Sequence, residues 1–218
     1  MRIIEPSFEI VDPINQADGI RLLQKIERMA RISHRSEEKQ TPETWEKFIR
    51  AVVVDRADWS VAEHSSATVI FRMDRAICME MVRHRHFSYT MESTRFVRYR
   101  GDMEFIMPTD MKTDLKSIEL FKTSITNAEN DYHFLLERGG RPQEARAVLP
   151  NALAATIAVT GNLRAWRWLF LARTTRESHL DFRRITIPLL EQFQQLIPVI
   201  YEDILPGARQ VENAERAH

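Results

Sequence analysis

Apolar positions along the first third of the chain follow two different periods. Ile20, Leu22, Leu23, Ile26, Met29, Ala30 and Ile32 recur at helical spacing and predict a helix from about Asp18. Ahead of it, Ile3 to Val11 is rich in β-branched residues and stops at Asp12-Pro13, which predicts one strand and a turn. Thr41-Pro42-Glu43 has the form of a helix start, with a capping hydroxyl, Pro in the first turn and an acid beside the dipole. That helix is expected to bury Trp45, Phe48, Ile49, Val52 and Val53. After Ser60 the period drops to two. Ala67, Val69, Phe71 and Met73 alternate with Thr68, Ile70, Arg72 and Asp74, which predicts a half-buried strand.

The remainder reads as a short strand, Met103 to Met107, and then a long helix from Asp114 to Arg138 stopped by Gly139-Gly140. Pro142 opens a short helical turn that Leu149-Pro150 interrupts. Ala152 to Val159 fits helix or strand equally. Asn162 starts a helix through Trp166, Leu169 and Phe170, and Ser178 to Leu205 is helical in pattern, with Pro188 and Pro198 as expected kinks. There is no internal repeat, linker or low-complexity segment. The expected class is a single α+β domain over residues 1–207, a central mixed or antiparallel sheet flanked by helices, with 208–218 as a polar tail.

Composition narrows the function classes. In 218 residues, 44% are hydrophobic and 28% charged, enough apolar surface for a packed core. No apolar run approaches the roughly 20 residues of a membrane span, and the start, Met1-Arg2-Ile3-Ile4-Glu5-Pro6, lacks a secretory apolar stretch. The single cysteine, Cys78, excludes an internal disulfide framework and a cysteine-rich zinc site. The cytosol is the expected compartment, without a membrane partner. The 31 basic residues balance 31 acidic ones, which argues against a general nucleic-acid coat. Yet 25 of those 31 are Arg, the side chain suited to bidentate grips on phosphate and carboxylate. Solvated helical faces account for the bias about as well.

The densest chemistry lies in residues 83–100. Arg83, Arg85, Arg95, Arg98 and Arg100 face one acid, Glu92, so the stretch meets water or an anionic ligand. Ser88, Ser93 and Thr94 add hydroxyl donors, and a turn there can aim backbone N–H groups at a phosphate. The preceding Ala76 to Val82 is mostly apolar and anchors the segment in the core. On these grounds alone, a pocket wall, a solvated loop and a nucleic-acid patch all remain open.

Arg83-His84-Arg85, followed after seven residues by Ser93 within Glu92-Ser93-Thr94-Arg95, resembles the signature of the flavin-dependent thymidylate synthase (ThyX) family. Further segments resemble that family in the same order: Ala30-Arg31-Ile32-Ser33, Ser60-Val61-Ala62-Glu63-His64, Arg146-Ala147-Val148-Leu149-Pro150, Asn162-Leu163-Arg164 and the later Arg173. The resemblance implies methylation of dUMP at C5 to dTMP, with methylenetetrahydrofolate as carbon donor and FAD carrying hydride from NADPH. It also implies a homotetramer with shared active sites. By resemblance, Arg83, Glu92, Ser93, Thr94, Arg95 and Arg146 bind dUMP, Arg146 reaching a neighbouring subunit's site. Arg173 sits against the uracil as the catalytic group. Ser60, Arg83, His84, Arg85, Asn162 and Arg164 hold FAD.

Other features read differently. Cys78 lies in an apolar run without a histidine partner, so it reads as a buried small hydrophobe and not as a nucleophile. Ser93 has no acid–His relay and reads as a substrate-gripping hydroxyl. His64, His84 and His86 lack a carboxylate or Cys that completes a ligand spacing, so no metal is expected. His64 is open between a buried hydrogen bond and a flavin-side role. Trp166 and Trp168 suggest core and interface, and Arg167, Arg176, Arg183 and Arg184 solvated or interfacial charges. Met91, Glu80, Asp58, Trp168 and Val61 depart from the family pattern and bear on substrate choice. Two rivals stand beside the main reading. One is a related C5 transferase such as a hydroxymethylase. The other is a nucleic-acid binder using the 83–100 arginines with Phe87, Tyr89, Phe96 and Tyr99.

Overall fold

A computed structural model describes residues 1–207. The expected polar tail, 208–218, lies outside the described residues. Strands β1 (Arg2–Ile4) and β2 (Ser7–Asp12) precede helices α1 (Gln16–Ile32) and α2 (Trp45–Ile49). Strand β3 (Ser66–Asp74), helix α3 (Arg75–Met81), and strands β4 (Phe87–Met91) and β5 (Glu104–Ile106) follow. Helices α4 (Leu115–Glu137) and α5 (Pro142–Ala145), strand β6 (Ala154–Asn162), and helices α6 (Leu163–Arg173) and α7 (Leu180–Leu196) complete the order. The fold is thus mixed α/β. A four-stranded sheet runs β2-β3-β6-β4, and a separate parallel pair joins β1 to β5, with Ile3 opposite Phe105.

The chain forms two compact units built from interleaved segments. The first holds Met1–Ser7, Ile70–Arg83 and Tyr89–Ala158; the second holds Phe8–Val69, His84–Ser88 and the described chain from Val159 to Gly207. Strands β3, β4 and β6 each supply residues to both units, which is why no linker is legible in the sequence.

In the first unit, Met103, Phe105 and Met107 around β5 pack with Phe121, Ile125, Tyr132 and Leu136 of α4. Asp114 caps α4 by accepting from the Lys116 and Ser117 N–H groups, and the helix gives way to Gly139 at φ +89°, both as the sequence predicts. In the second unit, α1, α6 and α7 enclose an aromatic cluster of Trp166, Phe170, Phe193 and Tyr201, with ring centroids 5.2–6.0 Å apart. The Trp166 indole N–H donates to the Ala67 carbonyl and the Tyr201 hydroxyl to the Leu163 carbonyl, so both polar tips are satisfied within the core.

Several elements differ from expectation for local physical reasons. The N-terminal strand is two strands, because the Glu5-Pro6 step lies between them and Pro6 has no N–H to continue a ladder. Ala152 to Val159 resolves as strand β6, whose buried and half-buried positions alternate. Helix α2 begins at Trp45, and the chain continues as a π-helical stretch over Arg50–Asp55. The Thr44 hydroxyl donates instead to buried Glu27 at 2.7 Å. Pro188 lies inside a continuous α7, on its exposed side, whereas Pro198 falls beyond the helix end. Arg167, expected at the surface, is 7% exposed. It donates to Asp203 at 2.7 Å and to the Ile200 carbonyl at 2.8 Å, and lies 4.2 Å above the Trp59 ring.

Helix α1 approaches the end of α7 at Gly19, where an added Cβ falls 1.7 Å from the Leu196 carbonyl oxygen. Gly19→Ala is therefore expected to force the two helices apart and to destabilise the protein by about 1–3 kcal/mol, read as a lowered Tm.

Candidate active site

In the first unit, α3 buries Ile77, Cys78 and Met81, the apolar anchor expected ahead of the arginine-rich segment. Arg83 follows on the exposed side of the turn that ends this helix. Beyond β4 the chain makes a tight turn. The Ser93 carbonyl accepts from the Phe96 and Val97 N–H groups at 3.1 and 2.9 Å, and the Ser93 hydroxyl oxygen accepts from the Arg95 N–H at 3.3 Å. Thr94 is buried, Arg95 is exposed, and Arg146 Nη1 lies 3.4 Å from the Thr94 hydroxyl. Residues far apart in sequence thus meet within one chain. Glu92 is differently engaged. Its carboxylate accepts from Arg72 at 2.8 Å, from the Tyr99 hydroxyl at 2.6 Å and from the Thr156 N–H at 3.3 Å. Arg72 and Tyr99 were not legible as site residues. The signal available was a charged residue on the polar face of the β3 alternation.

In the second unit, the centre is Arg173 at the end of α6. Its Nε donates to His84 Nε2 at 2.9 Å, and its guanidinium lies 4.9 Å from the Phe182 ring centre. The His84 ring meets the same Phe182 edge-on at 6.2 Å. The Thr186 hydroxyl donates to the Arg173 carbonyl, fixing the backbone. Since Nε2 accepts, the histidine carries its proton on Nδ1 and is neutral. Burial, reinforced by the Arg173 charge, pushes His84 down from the ordinary 6.5 to about 4.

Of the other expected cofactor residues, Ser60, Arg85, Asn162 and Arg164 belong to this same unit and Arg83 to the first. Asn162 caps α6, its Oδ1 accepting from the Ala165 N–H at 2.8 Å. Arg164 donates to Glu63 at 2.7 Å with its side chain 41% exposed. Ser60 and Arg85 are exposed, and His86 is exposed at φ +68°. His64 is exposed, so the buried-hydrogen-bond role does not apply. Phe87 meets Trp166 edge-on at 5.0 Å, over Gly161, where an added Cβ would strike the Phe87 ring at 2.3 Å.

The alternatives fare less well. Of the four aromatics proposed for a nucleic-acid surface, Phe96 is 75% exposed, whereas Phe87, Tyr89 and Tyr99 are half-buried. Among the described residues no group of three or more His, Cys, Asp and Glu side chains could hold a metal, and no helix is long and apolar enough to cross a membrane. Cys78 is fully buried, and burial pushes its thiol up to about 12, far from a reactive thiolate. An open cavity of about 500 Å³ lies beside Arg98, Arg100, His133 and Glu137 and includes none of the expected site residues.

The depressed His84 value has a sign. Between about pH 4 and 6.5 the unfolded chain binds a proton at His84 that the folded chain does not. The stabilisation is complete above pH 6.5 and is lost as pH falls toward 4. Thermal unfolding across that range is expected to show a steeper acid-side fall in Tm for the wild type than for His84→Gln, which keeps an acceptor but does not titrate.

Residues 21–199 match the family described as thymidylate synthase complementing protein. A flavin-dependent thymidylate synthase of Mycobacteroides abscessus is 34% identical over 211 residues, covering 88% of this chain and 83% of that protein. One from Mycolicibacterium vanbaalenii is 33% identical over 205 residues, covering 86% and 80%. Among solved structures, the UMP/dUMP methylase PolB from Streptomyces cacaoi, bound with 5-Br dUMP, superposes with a TM-score of 0.78 at 20% identity. It covers 93% of this chain and 96% of that one, a likeness of fold. With identity above 30% along most of both sequences, this chain belongs to the flavin-dependent thymidylate synthase family.

Proposed function

We propose that this protein catalyses the reductive methylation of dUMP to dTMP, taking the one-carbon unit from methylenetetrahydrofolate and reducing equivalents from NADPH. The observation that carries this reading is Arg173, a guanidinium held by neutral His84 and the Phe182 face. Uracil acquires negative charge as its C5 becomes nucleophilic, and a cation fixed in advance stabilises that charge without reorganising. In this reading Arg173 is the catalytic residue.

The nucleotide phosphate calls for the groups gathered in the first unit. Ser93 and Thr94 offer hydroxyls, Arg146 Nη1 lies 3.4 Å from that of Thr94, and Arg95 and Arg83 are exposed cations of the same unit. The donor set of the second unit fits FAD. Arg85 and Arg164 are exposed or partly exposed cations suited to a pyrophosphate, Ser60 presents a hydroxyl, and neutral His84 and Asn162 offer uncharged polar contacts. A bound flavin supplies hydride; these side chains bind and orient it. In this reading the protein works as a homotetramer with shared active sites, in the cytosol. Trp168, 52% exposed on α6, offers a ring where the family pattern has a polar side chain.

Anaerobic incubation of the flavin-loaded protein with NADPH, methylenetetrahydrofolate and dUMP is expected to yield dTMP by mass spectrometry, dependent on both flavin and folate. A hydroxymethylated nucleotide would move the assignment to the related transferase. UMP belongs in the same assay. Arg173→Ala is expected to lower dTMP formation by about 10²-fold or more while visible flavin absorbance persists. Cys78→Ala is expected to lower Tm and to leave turnover unchanged, since a buried, protonated thiol plays no part in the reaction.

A further inference from the structure

Five arginines and no compensating acid other than Glu92 lie in residues 83–100, yet Glu92 is directed into the protein fabric. It stands just past β4, and Glu104 opens β5, so the two carboxylates mark the two ends of the loop that carries Ser93, Thr94, Arg95, Arg98 and Arg100. One guanidinium spans both ends. Arg72 on β3 donates through Nη1 to Glu92 at 2.8 Å and through Nη2 to Glu104 at 2.8 Å. Nη1 also reaches the Thr156 hydroxyl on β6 at 3.0 Å. The middle of the loop is tied to the same point, because the Tyr99 hydroxyl donates to the second Glu92 oxygen at 2.6 Å. The Tyr99 N–H in turn donates to the Tyr132 hydroxyl of α4 at 3.2 Å. Backbone bonding continues the clamp, the Glu92 N–H donating to the Thr156 carbonyl at 2.8 Å.

The arrangement has an electrostatic consequence. Two carboxylates near a phosphate-binding turn would repel a dianion; Arg72 pairs with both, and Arg2 meets the other Glu104 oxygen at 2.7 Å. Burial works against the charge on Arg72, but the bonds to Glu104 and Glu92 outweigh it and hold the group above the ordinary arginine value. The three side chains are 18–25% exposed, so water screens them only in part.

We propose that Arg72 is a positioning residue: by bridging Glu92 and Glu104 it closes the β4–β5 loop and fixes the Ser93-Thr94-Arg95 turn in the geometry that grips the nucleotide phosphate, with Glu92 acting through that turn and not by touching the nucleotide. The proposal rests on the functional reading above. It differs from a general stabilising role because it ties Arg72 to nucleotide affinity and leaves the flavin-binding groups of the second unit untouched.

The test uses the flavin-loaded protein and three readouts: backbone hydrogen exchange of residues 92–104 without nucleotide, the dUMP Kd by titration, and flavin absorbance. Arg72→Met keeps the length of the stem and removes both bridges. It is expected to speed exchange across the loop and to weaken dUMP binding about tenfold to a hundredfold, with flavin content retained and kcat at saturating dUMP falling less than affinity. Arg72→Lys, which keeps the charge but spans one carboxylate at a time, is expected to fall between the two, and it serves if the methionine variant does not fold. Tyr99→Phe, which unties only the middle of the loop, is expected to raise Kd by a smaller factor. Unchanged loop exchange and dUMP affinity in Arg72→Met and Arg72→Lys would overturn the proposal while the wild type's dUMP binding kept the functional reading in place. A wild type that bound flavin but not dUMP would overturn both.

Discussion

Guanidinium groups taken out of bulk water must be held still and given hydrogen-bond partners. The protein meets this demand in two ways. Arg167 and Arg31 are neutralised by carboxylates and laid over aromatic rings: Arg167 on Asp203 and Trp59, Arg31 on Glu27 and Phe48. Such groups are scaffold. Arg173 is treated differently, since its neighbour is an uncharged imidazole and its ring partner is Phe182. His84 thus positions the guanidinium through a neutral hydrogen bond. A carboxylate in the place of His84 would have held the guanidinium equally well and cancelled the charge.

The fold serves this division. Strands β3, β4 and β6 each run through residues of both units, so a few side chains on each strand belong to different local environments. On β3, Thr68 shares a 2.9 Å hydroxyl bond with Thr160, and four residues later Arg72 meets Thr156. The opposed numbering of those pairs marks β3 and β6 as antiparallel. The apolar face of β3 is uniformly buried, whereas its polar face carries both a neutral hydroxyl pair and the cation that spans Glu92 and Glu104. The same alternation that builds the core thus delivers Arg72 to the loop bearing the Ser93 and Thr94 hydroxyls.

Chemistry of this kind asks little of nucleophilic side chains. Cys78 is packed as a small hydrophobe, with its thiol raised by burial, and Ser93 is engaged in the geometry of its own turn. What the protein contributes is placement and electrostatic preorganisation, with the reactive electrons coming from a bound cofactor. This explains why residue types that usually mark an active site, a histidine–acid relay or a metal cluster, are missing from the sequence pattern while arginines are abundant.

The sequence by itself determined the elements whose signals are local. The two-residue period of Ala67 to Met73, the helix beginning near Asp114, the Gly139 stop and the Asn162 helix start all recur in the structure, because capping, turn chemistry and burial periodicity act within a few residues. The order of the motifs from Arg83 to Arg173 was equally legible, and it carried the family. The partners of the charges were decided only by tertiary structure. That Thr44 serves Glu27, that Arg167 is buried on Asp203, that Glu92 faces Arg72 and Tyr99, and that Arg173 rests on His84 depends on residues from 7 to 89 positions apart. Hydrogen bonds and ion pairs require distances of about 3 Å, and no one-dimensional pattern encodes which distant donor arrives there. Helix-versus-strand at Ala152 to Val159 was settled in the same way, by the sheet neighbours that a short apolar run cannot announce.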